Sequence, residues 1–243
     1  MRIRTPTATV IVSAMGDLTR LLQLIQFSDS ALPVGAFTFS NGLESAIQKG
    51  AVHDVASLSD FVFTAVRQAA TLDGIALLTA HQAAQTADIG AVVAADHAAY
   101  QRRLNEEMRT MTVRMGKKLG ELGEHLAGTG LLADWNAMIR SGATPGTFPV
   151  GFALVTSGFG IDARQGFAAH QYGVASMILG AALRLMRVTF LETQAILLEV
   201  NAAVEEIYEE VHTDTLDDMR SFAPVADILA AVHLKAHLRM FMN

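Results

Sequence analysis

Apolar residues along this chain recur at spacings of three and four nearly everywhere, and the strict alternation of a half-buried strand is almost absent. The clearest stretch is Leu104, Met108, Met111, Met115, Leu119, Leu122 and Leu126, which fall on one stripe of a helix predicted from about Asn105 to His125. Glu106, Glu107, Arg109, Arg114, Lys117, Lys118 and Glu121 are assigned to its opposite, wet face. The pattern predicts an all-α protein, a single globular bundle of about eight to ten helices.

Start and stop signals divide the chain further. Ser57 with Asp60 reads as a cap for a helix carrying Leu58, Phe61, Val62, Ala65 and Val66, and Asp73 to Gln85 reads as its successor. Asp88 caps a helix to Tyr100, and Thr129 opens a short one through Trp135 to Ile139. The run Ser141 to Pro149, SGATPGTFP, then breaks the chain. It is short enough to be a connection inside one bundle, so residues 15–243 are read as a single all-helical domain. Asp162 with Gln165 and Thr189 with Glu192 cap helices to about Met186 and Val211, and Pro224 suits the first position of a last helix ending near Leu238. Residues 1–14 are read as a disordered leader, with Met15 as an alternative start.

Two glycine-bearing segments stand apart from this pattern. Ser30 to Glu44, SALPVGAFTFSNGLE, follows the apolar run Leu18 to Phe27 and reads as a shaped loop: Pro33 fixes its own φ, and Gly35 and Gly42 permit backbone that side chains forbid. Phe37 and Phe39 either alternate across an extended piece or anchor the loop on the core. Gly166, Gly173 and Gly180 recur every seven residues with Ala169 and Ser176 between them, which predicts close helix packing, inside the bundle or across a dimer.

Composition narrows the function classes. With 51% apolar residues and a mean hydropathy of +0.32, the 243 residues have ample material for a core. A net charge of −6 argues against a duplex nucleic acid partner. The most apolar window, Gly166 to Leu183, is interrupted by His170 and Gln171 and flanked by Arg164 and Arg184, so it is read as a buried helix and not a membrane span. The absence of cysteine removes disulfides, thiolate metal sites and cysteine nucleophiles, and suits a reducing cytoplasm.

Candidate chemistry is sparse. His233 and His237, four apart, supply at most two ligands on one helix face, and His212 sits amid Glu205, Glu206, Glu209, Glu210, Asp214, Asp217 and Asp218, a pattern read as a solvated face. No GxxxxGK[ST] loop, GxSxG elbow or Rossmann fingerprint in a strand context occurs, so hydrolysis of GTP by this chain alone is not expected.

The loop wording resembles the UreF family of urease accessory proteins, whose signature S-x-LP-[IV]-G-x-[FY]-x-x-S-x-GLE is met at Ser30, Leu32, Pro33, Val34, Gly35, Phe37, Ser40, Gly42, Leu43 and Glu44. Thinner matches follow in order at Glu106 to Arg109 with Met115 and Gly116, at Phe148 to Phe152, at Ala181 to Leu185 and at Leu238 to Asn243. The resemblance implies a cytoplasmic, non-catalytic, all-α homodimer without a cofactor of its own, which bridges UreD (also called UreH) to the GTPase UreG on apo-urease so that nickel is incorporated. It points to Leu234 through Asn243 and the N-terminal stretch before Leu18 for the UreD contact, with Arg239 and Phe241 as anchors. Glu44 and the loop from Pro33 to Ser40 are carried over as motif positions, structural or partner-facing, and Arg109 and Arg184 as charged motif residues that either meet a partner or form ion pairs. Two other classes stand beside this reading: a regulator of GTP turnover by UreG, with Arg109 acting on phosphates, and a metal-dependent helical enzyme built on the histidines and carboxylates.

Overall fold

The computed structural model describes residues 16–35, 39–127 and 130–221. The leader, Phe37, Thr129, the expected last helix, His233, His237, Arg239 and Phe241 lie outside them. The described residues form ten α-helical segments and no strand: α1 Asp17–Ser28, α2 Leu43–Gln48, α3 Val55–Ala69, α4 Ile75–Gln85, α5 Ile89–Gln101, α6 Glu106–Ala127, α7 Leu131–Ser141, α8 Phe148–Gly158, α9 Ala163–Leu185 and α10 Phe190–Val211. A 3₁₀ turn, Leu216–Asp218, follows.

The helix starts expose where local chemistry decides. Asp88, Asp162 and Thr189 cap as their sequence positions predict, each side chain accepting from the amide three residues on, and Thr189 and Glu192 complete a reciprocal box. At α3 the cap moves forward. Asp54, extended at φ −145°, accepts from Ser57 N at 2.8 Å while Ser57 Oγ accepts from Asp54 N at 3.1 Å, so Ser57 is the third helical residue and Asp60 takes no part. The predicted break between α3 and α4 is also absent. Ala70–Gly74 forms a π turn, and the helix runs on from Val55 to Gln85. This run is the described helix long and apolar enough to cross a membrane, but half of its apolar window is buried inside the protein, as befits a core helix.

α8 is the central rod: Pro149 through Thr156 are all buried, and it packs between α4 and α6. α9 lies across α3, α8 and α10. One apolar cluster joins Phe27 near the start to Met219 near the end of the described residues, with Trp135, Phe152 and Phe167 its largest fully buried side chains.

α6 shows both the strength and the limit of the periodic pattern. Met111, Met115 and Leu119 are buried as expected, whereas Leu104 precedes the helix and is 74% exposed, and Leu126 is exposed at its end. Glu107, assigned to the wet face, is buried; its amide donates to Asn105 Oδ1 at 2.8 Å, which makes Asn105 the cap and turns the first helical residues inward. The packed stripe is completed by glycines. A Cβ at Gly116 would lie 2.3 Å from Gly146 O and 2.5 Å from Thr147 C, so α6 meets the connection between α7 and α8 backbone to backbone.

That connection is held by Asp96 on α5. Its fully buried carboxylate accepts from Trp135 Nε1 (3.1 Å), Thr144 Oγ1 (2.7 Å), Gly146 N (2.8 Å), Thr147 N (2.7 Å) and Thr147 Oγ1 (2.5 Å). Five donors replace the water that a carboxylate would otherwise keep. The segment that reads as a break is thereby tied to one carboxylate by four hydrogen bonds from Thr144, Gly146 and Thr147.

Candidate partner-binding site

The signature loop leaves α1 through an Asx turn, Ala31 N donating to Asp29 Oδ1 at 2.8 Å. Pro33 is exposed, while Gly35 at φ +93° takes left-handed backbone that a side chain rarely adopts. Phe39 and the fully buried Ser40 return the chain to the core. Gly42, also left-handed at φ +84°, caps α2, which carries Glu44 into the interior at 5% exposure. Ser40, Gly42 and Glu44 thus shape a buried elbow, and Pro33 stands outside it. Gly166, Gly173 and Gly180 divide in the same way. A Cβ at Gly166 would make ordinary contact with Thr156 Oγ1 at 3.4 Å, but Gly173 and Gly180 meet nothing within 4 Å. The close packing expected along this face does not extend to them.

Between the loop, α6 and this open half of α9 lies a cavity of about 250 Å³. Ser30, Leu32 and Val34 line it on the loop side, Gly173, Gly180 and Arg184 on the helix side. Arg184 is exposed at its edge and donates from Nε to Gly180 O at 3.2 Å. The polar floor was not foreseen from the sequence. Arg103 Nη2 forks onto both oxygens of Asp73 at 2.5 Å, Nη1 donates to Ala99 O at 2.9 Å, and both side chains are largely buried, at 6% and 13% exposure. Asp73 occupies the π turn, whose extra residue carries its carboxylate out of the α3–α4 register. His170 stands 3.8 Å from Asp73 Oδ2 against the rings of Phe148 and Phe152, and its Nδ1 has no hydrogen-bond partner among the described residues.

Burial pulls the His170 imidazole below its ordinary value; the Asp73 carboxylate pushes back and the Arg103 guanidinium adds to the fall. A histidine depressed in the folded state is protonated more readily when unfolded, so stability should be full above pH 6.5 and decline as the pH drops below it towards the folded value. Asp54, Glu192 and Asp218, held low by their caps, act only in the carboxylate range. Urea midpoints measured from pH 7.5 to 5 should therefore fall with acid, and His170→Gln should flatten that slope; an equal slope in the variant would assign it elsewhere.

Arg109 is half-buried. Its guanidinium lies 5.4 Å from the Tyr100 ring centroid and its Nε donates to Arg103 O at 2.6 Å, so it braces the turn between α5 and α6. His212 stacks on Tyr208, and its Nδ1 approaches Glu209 O at 3.2 Å. Among the described residues no three histidine or acidic side chains converge as metal ligands.

Comparison with known proteins decides the kinship. The family model described as UreF matches residues 52–201. A Brucella canis protein called urease accessory protein UreF 2 is 55% identical over 243 residues, all of both chains. The chain belongs to the UreF family. Other relatives in the family agree along the length: urease accessory protein UreF 1 of Brucella melitensis is 55% identical over 241 residues, covering 99% of this chain and all of its own, and UreF of Yersinia pestis 50% over 223 residues, 92% and 98%. Family membership makes this UreF-type chain a urease accessory protein, and the all-α fold expected from the resemblance is the one observed.

Proposed function

We propose that this protein is a urease maturation factor, a non-catalytic scaffold of the cytoplasm that is required for nickel incorporation into apo-urease and bridges UreD (UreH) to the GTPase UreG. The full-length 55% identity to urease accessory proteins carries the reading. Surface chemistry supports it. Leu18, Leu21, Leu22 and Ile25 line one exposed stripe of α1, and Phe190, Leu191 and Leu198 are exposed on α10, two apolar faces of the kind that partner proteins cover. Arg239 and Phe241 are proposed as anchors for UreD, and Pro33, Gly35, Phe37 and Arg184 as the loop and cavity edge that a partner meets.

We further place the homodimer contact on the uncovered half of α9, where Gly173 and Gly180 leave room for a second backbone. Gly173→Leu is expected to leave the melting temperature nearly unchanged, since nothing stands within 4 Å, while halving the mass in solution. A dimer of unchanged size by light scattering would remove that placement. The maturation role is tested by co-expressing urease, UreD and UreG with and without this chain. Urease that becomes fully active without it at ordinary nickel levels would end the reading.

A further inference from the structure

On the far side of α6 from the cavity, α5, α6 and the α7–α8 connection enclose a broad, open depression of about 890 Å³. Arg109, Arg114, Lys117 and His97 line it, with Glu106 as the carboxylate among them and Tyr100 beneath Arg109. In a chain of net charge −6, three cations, Arg109, Arg114 and Lys117, stand against the one carboxylate of Glu106 on this concave surface. We propose that it is the docking surface for an acidic polypeptide segment of a partner protein.

The surface is built before any partner arrives. Asp96 fixes Thr144 in one wall and holds Gly146 and Thr147 just after it, and the backbone contact between Gly116 and Gly146 sets the distance from that connection to α6. The stem of Lys117 lies against Gly146, where a Cβ would stand 3.2 Å from Lys117 Cγ, and Arg109 is pinned between Tyr100 and Arg103 O. Cations held in place lose little freedom on binding. From Arg109 to Lys117 the helix rises about 12 Å, which suits carboxylates spaced along a peptide better than one small anion.

A second copy of this chain is a poorer occupant. Four carboxylates of its own acidic segment are already engaged: Arg164 pairs with Glu205 and Glu209, Arg67 with Glu210 at 3.5 Å, and Arg220 with Asp214 at 3.0 Å. The overall negative charge repels nucleic acid approaching the rest of the body. The inference rests on the maturation reading only in supposing a partner protein.

The test uses the full chain and a labelled Glu- and Asp-rich peptide, followed by fluorescence anisotropy at low and raised salt. The wild type should bind the peptide and weaken with salt, and Arg114→Glu/Lys117→Glu should lose at least about tenfold in affinity with an unchanged melting curve. Equal affinity in the variant, or displacement by an RNA oligomer more readily than by peptide of equal charge, would overturn the proposal. Urease activity in cells separates the two readings: a strain lacking the chain that keeps full activity refutes the maturation role, while peptide affinity alone decides the surface.

Discussion

Asp96→Ala is expected to lower the stability of the fold by about 3–5 kcal/mol. The substitution strands the indole N–H of Trp135, the hydroxyls of Thr144 and Thr147 and the amides of Gly146 and Thr147, all of which donate to this carboxylate. One unsatisfied buried donor costs about 1–3 kcal/mol, and water entering the space left by the carboxylate offsets part of the total. In a chain of this length the change corresponds to a fall of roughly 10 °C in melting temperature. Asp96→Asn keeps one acceptor oxygen but turns an NH₂ towards the donors, so it should fall between alanine and wild type. Thermal unfolding of the three proteins checks the order. A melting temperature for Asp96→Ala close to wild type would show that the donors find other acceptors.

The same residue shows where sequence reading stopped. Helix periodicity, carboxylate and hydroxyl caps and the left-handed positions suggested by glycine are local properties, and they located α5, α9 and α10 to within a residue or so. Asp96 sits in an Ala-rich helix between Ala95 and His97, and nothing near it in sequence says that its partners are some forty to fifty residues away. Asp73 misled for a related reason. An acidic residue after a run of apolar ones looks like a helix start, yet the π turn absorbs it into a continuous helix because Arg103, thirty residues on, satisfies its charge. The signature loop was legible as a loop and as a family mark. Its division into a buried elbow at Ser40, Gly42 and Glu44 and an exposed Pro33 depended on packing that the motif does not encode.

Removing Arg103 should nearly match the loss at Asp96, and its dependence on pH and on Asp73 identifies the cause. Arg103→Met leaves the Asp73 carboxylate largely buried with no counter-charge and frees Ala99 O, at an expected cost of about 3–5 kcal/mol near neutral pH. The double variant Asp73→Leu/Arg103→Met removes both charges and fills the space with apolar groups, and it should recover a large part of the loss, a coupling that two independent sites would not show. Arg103→Met also withdraws one of the influences that depress His170, while Asp73 still favours its protonated form, so the decline of stability below pH 6.5 should become shallower. Urea titrations of wild type, both single variants and the double variant at several pH values measure all of these at once. If the double variant is as unstable as the sum of the singles, the ion pair is not what holds the π turn to the start of α6, and the floor of the cavity owes its shape to the surrounding apolar packing of Met111, Phe148 and Phe152.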